Sequence, residues 1–279
     1  MKKLTISIVC MIALLLGAGQ IWAEDDSVDR VTVELTDPGK PASLEVGLVA
    51  GSITVNGYDG QEVIVEARTR LKKVNGSRGS DGKTRGMIKI PVSSSSLTVE
   101  EYKNAIEVGT QSWKNPIDLV ITVPRNTSLS LSCVNSGDIE VEGVTGEIEA
   151  ENVNGKVTLL AVSGSAVAHA HNGDVTVRFE HIDPDKDMSF SSFNGDVDVT
   201  FPASLKAKVK LKTIQGEIFS DFPINQIENP KRVIKKNSRE EGGRYKVEID
   251  RAYWGTINGG GQEILFSNYN GDIYIRSQK

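Results

Sequence analysis

The chain has 279 residues, of which 32 are lysine or arginine and 37 are aspartate or glutamate, so its formal net charge is −5. This length suits one or two domains, and a single all-β domain can fill it. The acidic balance argues against a nucleic-acid-binding protein, because such proteins usually carry a basic face. Three histidines and two cysteines leave little material for a zinc or disulfide scaffold.

Residues 1–23 have the composition of a secretory signal peptide. Two lysines precede an apolar run from Ile6 to Leu16, and Ala23 offers a small residue at the cleavage position. The run is too short for a good transmembrane anchor. We therefore predict that the protein is exported to the periplasm, the cell surface or the medium, with residues 24–279 forming one domain.

Signal cleavage would remove Cys10 and leave Cys133 as the one cysteine of the mature chain. A single cysteine makes no internal disulfide. Cys133 lies in the alternating pattern Leu129–Val134, which predicts a buried position on a strand. We interpret it as a small apolar residue, since a nucleophilic cysteine needs a histidine partner and the sequence places none beside it.

A nine-residue repeat runs through the middle of the chain. Its glycines are Gly137, Gly146, Gly155, Gly164 and Gly173. In each unit, the residues two and four positions after the glycine are apolar, so both point to one face of a short strand. The residue before each glycine is Ser, Thr or Asn, which is typical of turns.

Related phrases recur at Gly51, Gly195, Gly216 and Gly271. One unit cannot bury its few apolar side chains alone, whereas stacked units can align them in continuous ladders. The sequence therefore predicts an all-β, single-domain β-solenoid of stacked short strands, with about nine residues per unit. An antiparallel β-sandwich is the alternative, because turns every eight to twelve residues also suit that fold.

Other parts of the chain also have strand patterns, and no amphipathic helix is predicted after residue 23. The further strand-like runs are Val31–Leu35, Val63–Ala67, Ile117–Val123, Lys206–Leu211, Tyr245–Ile249 and Ile264–Phe266. Two polar stretches, residues 75–86 and 225–243, are predicted loops.

The segment from Ile117 to Val175, together with the phrase FNGDVDVTFP at residues 193–202, resembles the bacterial "putative adhesin" family of β-strand-repeat proteins, a domain of unknown function. The resemblance covers roughly residues 28–279 and is strongest over 117–220. It implies an exported all-β repeat protein, and it offers no catalytic residues to carry over.

A calcium site is the first chemistry to consider, because some nine-residue β-roll repeats bind calcium. The residues after the repeat glycines are Asp138, Glu147, Lys156, Ser165 and Asp174. Calcium needs several converging oxygens, and Lys156 and Ser165 interrupt a ladder of carboxylates. We expect solvated turn residues here.

The run Asp183, Asp185 and Asp187 imitates the start of an EF-hand loop. Met188 stands where that loop needs glycine, and Asn194 stands where it needs a bidentate glutamate. We predict a connecting turn.

His169 and His171 are two residues apart and should share a strand face. A zinc site needs three or four ligands, and no third ligand is identifiable. Seven residues after successive glycines come Val144, Val153 and Val162, which predicts a further apolar ladder. His171 follows in the same series and should end or cap this ladder.

Acidic residues crowd two adjacent units. Glu140 and Glu149 occupy equivalent positions, as do Glu142 and Glu151. If consecutive units stack, like charges would lie about 5 Å apart, the spacing of neighbouring strands. A solubilising surface that protects strand edges is the favoured interpretation.

The sequence favours a non-catalytic, adhesin-like binding or scaffold protein of the cell envelope. It holds no G-x-S-x-G, H-E-x-x-H or phosphate-binding glycine loop, and it has few aromatic residues to stack on sugars. We predict no cofactor, no metal and no catalytic residue, with an unknown envelope protein or glycan as partner. A carbohydrate-binding or carbohydrate-active protein on a β-helical scaffold is the alternative.

Overall fold

The computed structural model describes residues 28–70, 97–110, 115–228, 233–237, 245–249 and 252–279, so the predicted signal peptide and the predicted loop 75–86 lie outside the described residues. All helices and strands assigned within these ranges are β-strands. In chain order they are β1 (Val28–Glu34), β2 (Ala42–Ala50), β3 (Ile53–Tyr58), β4 (Glu62–Thr69), β5 (Leu97–Tyr102), β6 (Ala105–Thr110), β7 (Ile117–Pro124), β8 (Thr127–Asn135), β9 (Ile139–Glu142), β10 (Glu147–Asn154), β11 (Val157–Asn172), β12 (Val175–Ile182), β13 (Met188–Asn194), β14 (Val197–Phe201), β15 (Ala207–Lys212), β16 (Ile218–Ser220), β17 (Asn225–Gln226), β18 (Val233–Asn237), β19 (Tyr245–Ile249), β20 (Tyr253–Ile257), β21 (Gln262–Asn270) and β22 (Ile273–Ser277).

Two sheets pack against each other around one hydrophobic core. Sheet 1 has the order β1-β4-β7-β3-β9-β11-β12-β14-β22-β16. Sheet 2 has the order β5-β6-β2-β8-β10-β11-β13-β21-β15-β20-β17. The long strand β11 gives its first half to sheet 1 and its second half to sheet 2, and it bends where Ala161 and Gly164 have φ of 50° and 104°.

The chain alternates between the sheets, which makes the molecule a solenoid. From β7 to β16 in sheet 1 and from β6 to β15 in sheet 2, neighbouring strands run parallel. Ile139, Val157 and Val175 are direct neighbours on sheet 1, so residues 18 apart are stacked. The solenoid prediction is confirmed, and each nine-residue unit is half of a coil.

The inward positions are those that the repeat predicts. The residues two and four positions after each repeat glycine are buried, as Ile139 and Val141 illustrate. Their burial on both sheets fills the space between the sheets with aliphatic side chains. Where the coils lengthen, Phe179, Phe190 and Phe201 pack against one another at centroid distances of 5.4–6.2 Å, which widens the core without leaving a void.

A column of glycines marks the edge where coils pass from sheet 2 to sheet 1, which we call the glycine edge. A Cβ on Gly155 would lie 2.1 Å from the carbonyl oxygen of Gly137, and one on Gly173 would lie 2.2 Å from that of Gly155. Such distances exclude any side chain, so stacking of the backbone requires glycine here. The column consists of Gly51, Gly137, Gly155, Gly173, Gly195, Gly271 and Gly216.

Asparagines reinforce the glycine edge. The Asn154 side chain donates to Asn135 Oδ1 at 2.9 Å, Asn172 donates to Asn154 at 2.9 Å, and Asn194 donates to Asn172 at 2.8 Å. Asn270 continues the ladder by donating to Asn194 at 3.3 Å. The asparagines directly before Gly155, Gly173, Gly195 and Gly271 therefore join successive coils as well as favouring the turn.

Buried polar side chains satisfy the glycine carbonyls inside this edge. The Asn152 amide donates to Gly137 O at 3.0 Å, the Ser192 hydroxyl donates to Gly173 O at 2.8 Å, and the Asn268 amide donates to Gly195 O at 2.8 Å. Because an unpaired buried carbonyl is costly, these side chains stabilise the turns from within.

The coils are not stacked in chain order. β21 lies between β13 and β15, and β22 lies between β14 and β16, so the last coil of the chain is inserted within the stack. Antiparallel strands continue both sheets at their ends. In sheet 1, β4 and β1 follow β7. In sheet 2, β5 follows β6 at one end, and β20 and β17 follow β15 at the other.

All six further strand predictions coincide with strands, whereas two other expectations are wrong. The predicted loop 225–243 contains β17 and β18, which pair with β20 and β19. Val144 and Val162 are buried, but Val153 is exposed. The predicted ladder of these three valines is wrong, because consecutive nine-residue units lie on opposite sheets.

Candidate functional site

A row of exposed apolar side chains runs across the outer face of sheet 2, beside the glycine edge. The registers of the flanking residues place one member on each of six neighbouring strands from β2 to β21, and a seventh just after the end of β15. Six members are 40–56% exposed, and the histidine is also exposed. We call this set the apolar row, and it consists of Val49, Val134, Val153, His171, Phe193, Tyr269 and Ile214.

Three aromatic rings form the centre of the apolar row. His171 stacks on Phe193 with a centroid distance of 4.9 Å, and Phe193 stacks on Tyr269 at 4.5 Å, with interplanar angles of 13° and 10°. The prediction that His171 ends or caps the valine ladder is wrong, because His171 lies in the middle of this row, between Val153 and Phe193 of the neighbouring coils. Since the rings cover each other's faces, they present mainly their edges to solvent.

Sequence reasoning missed the apolar row, although a signal for it is present. Six of its seven members stand two residues before a glycine of the glycine edge, as in Phe193 before Gly195 and Tyr269 before Gly271. Val134 stands three before Gly137, because Ser136 adds a residue with φ of 67°.

The next outward row is polar on every strand except β2, where it holds Gly47. His169 lies in it, next to His171 on the same face, and its Nδ1 lies 2.5 Å from the Ser191 hydroxyl on the neighbouring coil. This confirms that the two histidines share a face. Within the described residues, no group of three His, Cys, Asp or Glu side chains is placed to hold a metal ion.

The outer face of sheet 2 is electrostatically polarised along the solenoid. Glu100, Glu107, Glu45 and Glu149 lie toward the β5 end and line a groove of about 610 Å³. Beyond β21, the outward positions of β15 are Lys208, Lys210 and Lys212, on the strand that pairs with both β21 and β20. One end of the face is therefore acidic, and the other is mainly basic, with Glu263 of β21 beside Lys208.

The acidic residues of adjacent units are not stacked as predicted. Glu140 pairs with Thr54 and Thr158 in sheet 1, whereas Glu149 pairs with Ser130 and Val167 in sheet 2. The predicted ladders of glutamates nine residues apart, including Glu142 with Glu151, are wrong for the same reason as the valine ladder.

The carboxylates considered for calcium serve the stacking of coils. Asp138 Oδ1 accepts the backbone N–H of Lys156 at 2.8 Å, and Asp174 Oδ1 accepts that of Asp196 at 3.1 Å. Lys156 Nζ lies 3.1 Å from Asp174. Burial opposes the ionisation of Asp174, but these hydrogen bonds outweigh it and lower the pKa of the carboxyl. Glu147 and Ser165 are separate from this column, since they pair in sheet 2.

The run of aspartates is a connecting turn between β12 and β13, as expected. Asp183 Oδ1 accepts the backbone N–H of Asp185 at 3.0 Å. Asp187 Oδ1 accepts the backbone N–H of Glu263 at 2.8 Å, which attaches the turn to the inserted C-terminal coil. Lys186 pairs with Glu147 at 2.9 Å.

Two further groups with shifted pKa values, Asp118 and Cys133, lie near the start of the solenoid. Burial acts against ionisation of Asp118, but hydrogen bonds from Arg70 and Ser52 outweigh burial and lower the pKa of Asp118. Cys133 is 1% exposed, its thiol donates to Gly51 O at 3.0 Å, and burial raises its pKa. The predicted buried position of Cys133 is confirmed, and both groups act in packing between coils.

Comparison with known proteins identifies the repeat. Residues 133–258 match the model of the Toastrack DUF4097 family. This part of the chain is similar to the Toastrack family. The Toastrack match spans β9 to β20, the part of the solenoid that carries the nine-residue repeat, and it agrees with the family resemblance noted in the sequence.

Solved structures resemble the chain at low sequence identity. A "putative cell adhesion protein" from Clostridium sporogenes shares 11% identity, with 91% of this chain and 100% of that chain covered at a TM-score of 0.45. A "putative adhesin" from Bacteroides fragilis shares 12% identity, with 90% and 97% covered at a TM-score of 0.40. A search of curated proteins found no match. The described part of the chain contains no helix with the length and hydropathy needed to cross a membrane.

Proposed function

We propose that this protein is an exported, non-catalytic, adhesin-like binding protein of the cell envelope. In this proposal residues 1–23 are a signal peptide, and residues 24–279 are one mature domain. The basic start, apolar core and Ala23 of the leader support export. The solenoid supports a binding role, because stacked coils create an extended surface.

The observation that carries the proposal is the exposed apolar row on the outer face of sheet 2. Soluble proteins rarely expose continuous apolar patches without a partner for them. The hydrophobic core is formed without this row. On the same strands, adjacent residues such as Asn152 and Ser192 point inward and are buried, whereas the residues of the row point outward. The row is therefore available for binding.

Carbohydrate binding is a second candidate, favoured by the aligned rings of His171, Phe193 and Tyr269. They line a groove of about 510 Å³ together with Glu151 and Lys212. Sugars stack on the faces of aromatic rings, however, and here the faces are largely occupied by neighbouring rings. The ring geometry therefore favours a partner that contacts the row side-on.

The binding role is tested by applying the purified protein to an array of glycans, cell-wall fragments and envelope proteins, with calcium and with chelator. The proposal expects saturable binding without chemical change of the bound molecule. Turnover of a bound glycan would contradict the non-catalytic role. Calcium-dependent binding would contradict the purely structural role assigned to Asp138 and Asp174.

Export is tested separately by determining the N-terminus of the protein recovered from cells. Cleavage after Ala23 and recovery outside the cytoplasm are expected. An intact N-terminus on a cytoplasmic protein would contradict export without affecting the binding result.

A further inference from the structure

The apolar row is a surface feature that the packing of the fold does not require. It crosses seven strands, so it extends over about 29 Å at the usual strand spacing. The adjacent outward row carries Glu151, His169, Ser191 and Lys212 at equivalent positions, whereas the row beyond it also holds the half-buried Val167 and Leu265. A partner for this face must match one apolar line flanked by polar side chains.

Charge narrows the choice of partner. The strand at one end of the apolar row, β2, carries Glu45, and Glu107 lies beside it on β6. The strand at the other end, β15, carries Lys208, Lys210 and Lys212. A partner surface of uniform charge would be attracted by one end of this face and repelled by the other end. An anionic lipid surface fits poorly for this reason. The face instead complements a surface with the opposite order of charges.

The outer face of sheet 2 supplies that order itself when it is turned end to end. His171 is the fourth of the seven members of the apolar row. A two-fold axis parallel to the strands and passing beside His171 reverses the order of the strands but keeps the row on the row. It places β2 against β15, β8 against β21, and β10 against β13.

We propose that the outer face of sheet 2 binds a second copy of this chain about a two-fold axis parallel to the strands. This rests on the proposed binding role and names its partner. In such a dimer, Val153 of each copy lies opposite Phe193 of the other, and Glu45 lies opposite the lysines of β15. The interface is isologous, as two-fold interfaces must be.

The other face-to-face arrangement is electrostatically unfavourable. A two-fold axis along the solenoid would place each strand against its own copy, so that the acidic ends of the two faces met each other and the basic ends did likewise. Like charges in direct opposition are destabilising. The polarity of the face therefore selects the antiparallel arrangement of solenoids.

The size of the face is adequate for a specific dimer. Seven strands span about 29 Å, and the outward positions from Ser43 to Val49 span about 20 Å, which gives a projected area of roughly 600 Å². Side-chain relief makes the accessible area larger than this projection. Standard interfaces bury about 800 Å² on each partner, which places this face at the small end of specific interfaces and predicts a weak dimer.

The test measures the mass of the purified protein by light scattering and sedimentation from about 1 to about 100 μM, a range that brackets a micromolar Kd. Wild type should pass from monomer to dimer. Val153→Lys should remain monomeric, because it places a charge in the apolar row. The matched control is Val120→Lys on the outer face of sheet 1, where Val120 is 40% exposed against 41% for Val153. This control should dimerise like wild type.

Charge reversal tests the orientation. Glu45→Lys and Lys210→Glu should each weaken the dimer about tenfold, since Glu45 and Lys210 lie at the same level, each contact occurs twice in a two-fold dimer, and exposed pairs contribute modestly. The two reversals together should restore most of the affinity. Additive weakening in the combined variant would overturn the antiparallel arrangement.

Other outcomes overturn the proposal without touching the general binding role. A wild type that remains monomeric throughout would overturn it. A monomer whose array binding to a glycan disappears in Val153→Lys would assign the row to that glycan. Loss of dimer in Val120→Lys as well would show that the effect is not specific to sheet 2. Far-UV circular dichroism of each variant establishes that folding is retained.

Discussion

Replacing Gly173 by alanine should disrupt the contact between two coils. The added Cβ would lie 2.2 Å from the carbonyl oxygen of Gly155 and 2.5 Å from its carbonyl carbon. Carbon and oxygen in close contact sit at about 3.3–3.6 Å, so the coils must separate by roughly 1 Å. The adjacent hydrogen bond from Val157 N to Asp174 O, now 3.0 Å, would then exceed hydrogen-bonding distance.

The expected loss follows from these two effects. Overpacking costs about 1–3 kcal/mol, and the loss of a backbone hydrogen bond costs about 1 kcal/mol. Gly173→Ala should therefore lower the free energy of unfolding by about 3 kcal/mol. With a urea m-value of about 3 kcal/mol/M for a chain of this size, the midpoint of urea unfolding should fall by about 1 M.

Gly109→Ala on β6 is the matched control. A Cβ on Gly109 would meet no atom within 4 Å, and its φ is outside the left-handed region. Its midpoint should stay the same or rise slightly, because alanine restricts the unfolded chain. Urea titrations followed by circular dichroism compare the three proteins. Equal midpoints for Gly173→Ala and Gly109→Ala would refute the close-approach argument for the glycine edge.

Three further predictions concern pH, chain order and the buried thiol. The folded-state pKa of Asp118 is lowered, so the stabilisation by this carboxylate is present above the unfolded pKa of about 3.9 and is lost as pH falls through the lower folded value. The urea midpoints of wild type and Asp118→Asn should therefore differ most near neutral pH and converge on acidification. The midpoint of the control Asp59→Asn, at a carboxylate whose side chain is 87% exposed, should differ little from wild type at any pH. Ending the chain after residue 261 removes a coil from within the stack, so the truncated protein should lose its cooperative thermal transition, and a shortened but stable solenoid would contradict the strand order. Cys133 should remain unmodified by maleimide in native buffer and react in urea, as judged by mass spectrometry of its peptide; rapid native labelling would contradict its burial.

The sequence predicts the solenoid well because the close approach of coils demands glycine at regular intervals. The spacing of Gly137, Gly155 and Gly173 and the burial of the residues two and four positions later both follow from that demand. The apolar residues of the repeat have no alternative position in a structure of stacked short strands. The fold class could therefore be predicted without any tertiary information.

The period of stacking could not be predicted from the same pattern. Gly146 and Gly164 lie in a separate column, where a Cβ on Gly146 would approach Thr127 O at 2.3 Å and one on Gly164 would approach Gly146 O at 2.8 Å. The repeat glycines are 18 residues apart within each column, and the two columns together give the nine-residue spacing, so sequence alone does not distinguish one unit per coil from two. The incorrect glutamate and valine ladders both come from this ambiguity.

The candidate surface depends on contacts between distant segments, which a local pattern does not report. Phe193 and Tyr269 are stacked because β21 lies beside β13. Nothing in the repeat indicates that the last coil of the chain is inserted there. The change from acidic to basic residues along sheet 2 likewise appears only when the strand order is known. β15, which carries the lysines, comes before β21 in the chain, but β21 lies between β15 and β13 in the sheet.

The insertion of the last coil is the claim on which the continuous apolar row depends, and a disulfide tests it most directly. Ser191 and Ser267 are direct neighbours on β13 and β21, within the Cα separation of about 4.4–6.8 Å that a disulfide allows. The variant carrying Ser191→Cys and Ser267→Cys should form an intramolecular disulfide under mild oxidation, measured by mass and by mobility on a non-reducing gel. Ser191→Cys combined with Ser130→Cys is the control, since β8 and β13 are separated by two strands, about 14 Å, and should not cross-link. Cross-linking of the control pair, or none in the first pair, would contradict the strand order and with it the apolar row.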